Sequence, residues 1–530
     1  MQFVRAVLSH ERCPRKLRYL CTIVRVQSPS TAITDTHQKR WVLICAVLAS
    51  TMAFVDESVV NVALPRMEAD LSTSLSAMQW VINAYTLCMS ALLLIGGAAG
   101  DRFGRRRIFM IGVSVFTLAS ITCGLAPNPG ALIAARALQG VGAAFLIPCG
   151  LALISAVYDE KERGAAIGVW SGASAVAAGA GPIIGGWIVD HLSWRAIFLI
   201  NPVLSVPTLW IAVRYLAESR ETEHHTGLDW PGALSVFLGL GAIVYGLIAA
   251  AARGWGDATV SGTIVAGTAL LLVFVWIERR SSAPMVPLGL FRSRQFSGVN
   301  ILTLLLYGAL AGTFFFVPFL IIQVHGYSAA AAGAIFVPFA LILGALSKWS
   351  GRLMDRFGAR RPLIIGPTIA GVALLLLALA SGDGRYASFV LPMVVLAFGM
   401  AITIAPLTTT VLNAVKQDQT GVASGINNAA ASVAGLLVIA VMGTVALRVL
   451  DLEFDAHLRQ AQPTSEVRRE VDAARGGFIM PRAPAQWSAQ ERVSLEQISK
   501  ASFVGTIYLV LLVMAALAFA GASVAVLMIE

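Results

Sequence analysis

The sequence predicts an all-α integral membrane protein of about 14 transmembrane helices in a 6+2+6 arrangement, and three observations carry that prediction. Of the 530 residues 57% are hydrophobic and 13% charged, with mean hydropathy +0.76. A water-soluble domain carries about 25% charged residues. Apolar windows of about 20 residues recur, each long enough to cross a hydrocarbon core as a helix that satisfies its own backbone polar groups. The third observation is an internal echo. Gly97, Asp101, Arg102, Phe103, Gly104, Arg106 and Arg107 read GxxxDRFGxRR, and Gly351, Asp355, Arg356, Phe357, Gly358, Arg360 and Arg361 read it again, 254 residues later. Duplicated halves inside a membrane chain point to a transporter.

The windows run, in order, over Trp41–Leu64, Gln79–Ala99, Ile108–Leu125, Ala131–Val157, Ala165–Val189 and Trp194–Leu216. Leu228–Ala252 and Ala258–Ile277 follow, then Phe296–Gln323, Ala330–Trp349, Leu363–Ala380, Phe389–Leu412, Val422–Ala446 and Phe503–Ile529. Each motif copy follows the second window of a six-window half, so the two middle windows form an inserted hairpin. The expected organisation is a basic tail over 1–40, a first half over 41–216, two extra helices with linkers over 217–295, and a second half over 296–530. A long loop at 447–500, with balanced charge and Pro463, Pro481 and Pro484, interrupts that second half.

Charge placement supplies the orientation. With the N-terminus inside, the inner loops carry Arg102, Arg105, Arg106 and Arg107, Lys161 and Arg163, Arg220, Arg279, Arg280, Arg292 and Arg294, Arg356, Arg360 and Arg361, and Lys416. Short outer loops offer little beyond Arg66, Arg195, Arg253 and Arg385. That bias predicts a multi-pass protein of the cell membrane with both termini cytoplasmic. It also accounts for the net charge of +10 without a nucleic-acid partner. The 1–40 segment holds eight basic residues against Glu11 and Asp35 and has no sustained apolar run, so it lacks the core of a cleavable signal peptide. Whether it belongs to the mature protein stays open.

Enzymatic and metal signals do not appear in the sequence. There is no GxxxxGK[ST] loop, His10-Glu11 lacks a second zinc histidine, and none of the six cysteines forms a CxxC pair. The reading is therefore not an enzyme, with no metal and no cofactor.

Polar residues inside apolar windows are the candidates for function, because a charged side chain near the bilayer centre costs about 2.5–3.5 kcal/mol on insertion scales. Asp56 and Glu57 are the carboxylates well inside the first window. Burial penalises the charged form of such a group, which suits taking up and releasing a proton. Adjacent positions point about 100° apart, so one of the two faces the cavity. Glu57 shares a face with Ala53 and Asn61, and Asp56 with Met52 and Val60. Arg136, about five residues into the fourth window, is positioned to pair with Asp56 or with backbone carbonyls. In the repeated loops, Asp101 and Asp355 are expected to accept hydrogen bonds from a neighbouring helix N-terminus, latching the halves in one state. Gly104 and Gly358 allow the tight turn. The fifth window carries Gly168, Gly172, Gly179, Gly181, Gly185 and Gly186 around Pro182, a small-residue stripe with a bend. Cavity walls are expected to include Trp80, Asn83, Tyr85, Gln139, Phe314 to Phe316, Phe336 and Phe339, which suit flat, amphipathic or cationic molecules.

Four motifs, taken in order, resemble the major facilitator superfamily, and within it the fourteen-span drug:proton antiporters of multidrug efflux type. They are Phe54 to Pro65 (FVDESVVNVALP), the doubled GxxxDRFGxRR, Leu132 to Gly142 around Arg136, and Gly179 to Gly186 (GAGPIIGG). The resemblance spans 41–530. It implies the fold of that superfamily and a proton-coupled exporter of hydrophobic or amphipathic molecules that alternates access to the two sides. It also favours Asp56 over Glu57 as the coupling acid, since the family motif carries its acid there and a small or hydroxyl residue at Glu57. Gly181, Pro182, Gly185 and Gly186 would form the antiporter hinge. Implied partners are small-molecule substrate, protons and lipid, acting as a monomer, with an adaptor protein left open. A metabolite uptake symporter of the same fold and a non-transporting membrane sensor are the alternatives.

Overall fold

A computed structural model describes residues 36–219, 229–281, 284–416, 419–481, 483–484 and 486–529. The basic tail up to residue 35 and Arg220 lie outside the described residues. Among the described residues 14 helices are long and apolar enough to span a bilayer, and there are no strands.

The first six are α1 (Thr36–Asp70), α2 (Leu75–Phe103), α3 (Arg105–Gly124), α4 (Pro129–Val157), α5 (Glu160–His191) and α6 (Ala196–Tyr215). The inserted pair is α7 (Trp230–Arg253) and α8 (Ala258–Arg280). The second half contains α9 (Arg294–Phe319), a short α10 (Ala329–Ala334), α11 (Val337–Phe357), α12 (Arg360–Ala380), α13 (Ala387–Asn413), α14 (Thr420–Ala461), a short α15 (Ser465–Ala473) and α16 (Ala489–Met528). Starts are capped by side chains as expected, with Ser74, Asn128, Asp257 and Ser293 accepting from first-turn amides.

Packing follows small residues. A Cβ on Gly96 would stand 2.0 Å from Ala144 O, and one on Gly142 2.5 Å from Phe116 N, so α2, α3 and α4 meet backbone to backbone. Large apolar side chains such as Leu118, Val203, Val206, Trp210 and Leu272 remain exposed on the outside, where lipid would cover them. The inserted hairpin docks through α7, whose Leu240, Val244 and Ile248 pack with Leu87 of α2 and with Leu436 and Ala440 of α14. Thr444 of α14 also donates to Leu247 O at 2.6 Å. The extra pair thus lies across the line where the two halves meet, and α8 is left largely exposed.

The expected long loop at 447–500 is mostly helix. α14 continues to Ala461, α16 begins at Ala489, and α15 lies between them. Leu447, Leu450, Phe454 and Leu458 recur at helical spacing and stay buried beyond the apolar window, against Val467, Val471, Phe478, Leu495 and Ile498. Arg475 ties this cap together, reaching Asp455 at 2.6 Å and Asp472 at 2.9 Å.

Candidate functional site

The polar heart of the first half is sealed. Asp56 on α1 is 1% exposed and sits among donors from two other helices. Arg136 Nη1 of α4 forms a short ion pair with Asp56 Oδ2. Gln139 Nε2 donates to Asp56 Oδ1 at 2.7 Å, and Asn201 Nδ2 of α6 donates to the same oxygen at 2.9 Å. Arg136 is held in turn by Gln139 Oε1 at 2.8 Å and by Val81 O of α2 at 3.1 Å, and its guanidinium lies 4.3 Å from the Tyr85 ring centre. Asn201 also donates to Ser120 Oγ of α3, which donates to Phe198 O at 2.7 Å. Five helices therefore converge on one carboxylate. A buried charge pair survives only with this degree of satisfaction.

Glu57 is placed differently. It is exposed although it lies mid-span, next to the buried Asp56. Asn61, one turn on, is half-buried and donates to Glu57 O at 3.2 Å, a backbone contact that leaves the Glu57 carboxylate untouched. The 100° step between neighbours thus puts one acid inside the bundle and the other on an accessible face.

Other expected cavity residues divide. Asn83, Tyr85 and Gln139 are fully buried, Gln139 as a partner of Asp56. Phe315 and Phe316 do not line open space in this structure. Both are 0% exposed, edge-to-face with each other, and Phe316 and Phe319 pack edge-to-face against Phe478. Trp80 is half-buried beside Tyr245 of the inserted hairpin. Phe314 is half-buried in an edge-to-face cluster with Phe336 and Phe339.

At the loop end that carries the two motif copies, the repeat is visible in three dimensions. Gly104 and Gly358 adopt φ of +108° and +73°, a conformation that side chains other than glycine resist. Arg102 and Arg356 each lie 5.4 Å from the following phenylalanine ring. Arg106 donates to Ala212 O and Val213 O, at the end of the last helix of its half. Arg360, the equivalent residue, donates to Val526 O at the end of α16, the last helix of the other half. These arginines cap helix C-termini, where cations are favoured. Arg106→Ala and Arg360→Ala are each expected to cost about 1 kcal/mol, read as a lower midpoint of thermal unfolding in detergent.

The aspartate of the first copy pairs within its own loop in this state. Asp101 accepts from its own loop's Arg105 at 2.7 Å, and among the described residues no hydrogen bond or ion pair joins it to the second half. The carboxylate at the start of α3 is instead Glu218, whose Oε1 accepts from Arg106 N at 3.1 Å. Gly97 has only Pro148 nearby, whereas Gly96 and Gly100 make the close approaches. The surroundings of Gly351 and the side chain of Asp355 lie outside the described residues.

The halves meet most tightly at the opposite end, along the motif of α5. Gly181 and Gly185 face α1, where added Cβ atoms would reach Ser58 Oγ at 1.9 Å and Val59 Cγ2 at 2.0 Å. Gly179 and Gly186 face the second half, 1.9 Å from Ala340 Cβ and 2.3 Å from Ala329 O on the same measure. An added Cβ on Gly333 of α10 would stand 2.0 Å from Pro182 O. Asp190 completes the seam. Its two carboxylate oxygens accept from Ala329 N at 3.0 Å and Ala330 N at 2.7 Å. A carboxylate capping the first amides of a helix in the other half is the arrangement expected of Asp101, found at the other end of the molecule. Glu68 of α1 adds a further bridge, accepting from Phe478 N at 3.0 Å.

Among the described residues no group of three or more His, Cys, Asp and Glu side chains gathers as a metal site. Cys45, Cys88, Cys123 and Cys149 are buried free thiols, and Cys13 and Cys21 lie outside the described residues.

Comparison with known proteins agrees with this architecture. Residues 46–439 match the family model described as Major Facilitator Superfamily. Multidrug resistance protein Stp of Mycobacterium tuberculosis is 34% identical over 433 residues, 81% of this chain and 80% of that protein. The tetracenomycin C resistance and export protein of Streptomyces glaucescens is 31% identical over 93% of each chain. Among solved structures, an inward-facing, unoccupied bacterial homologue of the human lysosomal transporter Spinster superposes with a TM-score of 0.61, covering 93% of this chain and 98% of that one. At 17% identity that likeness speaks for the fold alone. The chain therefore belongs to the major facilitator superfamily and groups there with resistance and export proteins.

Proposed function

We propose that the protein is a proton-coupled exporter of hydrophobic or amphipathic small molecules, working by alternating access. The observation that carries this reading is the Asp56 cluster. A membrane-buried carboxylate held by Arg136, Gln139 and Asn201 can exist charged, with Arg136 as counter-ion, or neutral, with its partners rearranged. Those two states are the switch that proton exchange needs. Relatives named as resistance and export proteins support outward drug movement. The bias of positive charge in the basic motif loops supports a cytoplasmic position for that end of the bundle and for both termini.

In this scheme the seam from Gly179 to Asp190 is the outer seal, closed while cargo enters from the cytoplasmic side. A proton reaching Asp56 from outside removes its attraction to Arg136, and the α1, α4 and α6 contacts loosen. The halves then exchange the seal at one end for contacts at the other. The chain's own residues move the proton, so the gradient is the energy source and no cofactor enters. The unit that performs the cycle is the single chain, because both halves and the seam lie within it.

The test is dye efflux in everted vesicles carrying the protein, with a pH gradient imposed by acid loading. Accumulation that follows the gradient and collapses with a protonophore is expected. Movement in the opposite sense, cargo accompanying the proton, would instead identify an uptake symporter.

A further inference from the structure

We propose that Asp229 and Glu278 hold one proton between them at the foot of the inserted hairpin, and that this proton ties the hairpin to the second half. The pair takes no part in the transport scheme above, and the inference stands whatever the protein carries.

Three observations lead there. The first is a missing donor. Glu278, near the end of α8, is 3% exposed, and its Oε1 has no hydrogen-bond partner. Asp229, the residue that caps α7, likewise buries Oδ2 without a partner. The two carboxyl groups stand within hydrogen-bonding reach of each other. Two acceptors cannot bond without a hydrogen, and two adjacent carboxylates resist being ionised together. One shared proton meets both conditions, and the acids then titrate as a pair.

The second is that the remaining oxygens are taken. Asp229 Oδ1 accepts from Gly232 N at 2.9 Å, closing the first turn of α7. Glu278 Oε2 accepts from Val286 N at 3.1 Å, in the connector that runs towards α9. One free oxygen from each acid is too few for a metal ion such as calcium, which takes about six to eight oxygen ligands. Among the described residues no third acid, histidine or cysteine joins them. Nor does a basic side chain take the place of the proton. Arg279, Arg292 and Lys416 are exposed, and Arg280 lies 4.5 Å from the Trp276 ring centre. From α2 and α14 the side chains packed on α7 are the apolar Leu87, Leu436 and Ala440.

The third is what the pair joins. The start of α7, the end of α8 and the connector at Val286 meet on these two side chains. Beyond Val286 the chain passes the buried Leu290 and reaches Phe291, which packs edge-to-face on Phe296 of α9. With the proton in place the three segments are held together. Its loss leaves two like charges face to face, and the connector loosens from the hairpin.

Infrared pH-difference spectra of the purified full chain test the shared proton. A protonated-carboxyl C=O band present near neutral pH in the parent is expected to be lost in both Glu278→Gln and Asp229→Asn. Hydrogen exchange of the connector, residues 284–292, reads the consequence. After correction for the intrinsic rate, its opening in the parent is expected to increase with pH, by up to about tenfold per pH unit for one proton released. The folded pair holds a proton that the separated acids lack near neutral pH, so raising the pH favours opening. Glu278→Gln, whose amide can donate to Asp229, is expected to flatten that dependence. An undiminished band in both variants would overturn the proposal, as would a Glu278→Gln connector that opens with the pH dependence of the parent. If neither variant folds, the parent decides: connector opening that is flat with pH overturns the proposal, and opening that increases with pH supports it.

Discussion

Asp56→Asn is expected to abolish proton-driven efflux, a fall of at least about 100-fold, while also destabilising the first half. The geometry separates the two effects. An asparagine can keep its oxygen toward Gln139 and Asn201, which both donate to Oδ1. Its amide nitrogen then faces Arg136 Nη1, a donor against a donor, and leaves a buried guanidinium without its anion. Breaking a buried pair from one side costs about 3–5 kcal/mol, whereas removing both charges is often close to neutral. The double replacement Asp56→Asn with Arg136→Gln should therefore recover thermal stability and surface expression while transport stays absent. Recovery of transport in the double variant would show that the pair serves packing and not coupling.

A second large effect is expected at the seam. Gly186→Val and Gly333→Val each place side-chain atoms where backbone of the other half already stands, at Ala329 O and Pro182 O. Backbone cannot rotate aside as a long side chain can, so the halves must separate at that end. Overpacking alone costs about 1–3 kcal/mol. That is comparable with the differences that set the balance between alternating states, so the closed-seam state should be largely lost. Efflux is expected to fall about tenfold or more. Ala332, fully buried in the intact seam, offers the readout. A cysteine placed there should resist a membrane-impermeant maleimide in the parent protein and react in Gly186→Val. Protection in both proteins would mean that this seam is not a gate.

Much of this arrangement is written in the sequence, for reasons that differ from element to element. The spans were legible because lipid demands long apolar helices, and the duplication because Gly104 and Gly358 occupy positive-φ turns that tolerate little else. The pairing of Arg136 with Asp56 was legible because two opposite charges inside a membrane seek each other. Asn201 and Ser120 are not legible, since single amides and hydroxyls in apolar spans carry little pattern of their own. The signal available was Asn201 beside Pro202, the one amide side chain in the sixth span. Gln139 reads as a cavity-wall residue in the sequence, because spacing alone cannot tell a network partner from a cargo contact. Asp190 and Glu218 lie at span ends, where acids are ordinary and only the partner reveals a role. The helical cap was hidden because apolar windows stop where the helix becomes amphipathic, at Leu447, although Leu450, Phe454 and Leu458 continue its buried stripe.

The Arg106 and Arg360 caps carry a broader point. The two arginines bind the last helix of their respective halves at corresponding places, so the duplicated loop first serves the rigidity of each half. Two rigid bodies that meet along a backbone-tight seam at one end are suited to rocking. The inserted hairpin, lying across α2 and α14, is placed to brace that motion at the side of the bundle.

The most direct measurement is simultaneous recording of proton and cargo flux in proteoliposomes containing the purified chain, with and without Asp56. Protons should enter as cargo leaves in the parent protein, and both fluxes should vanish together in Asp56→Asn. Cargo movement that persists in Asp56→Asn with its proton dependence intact would contradict the account.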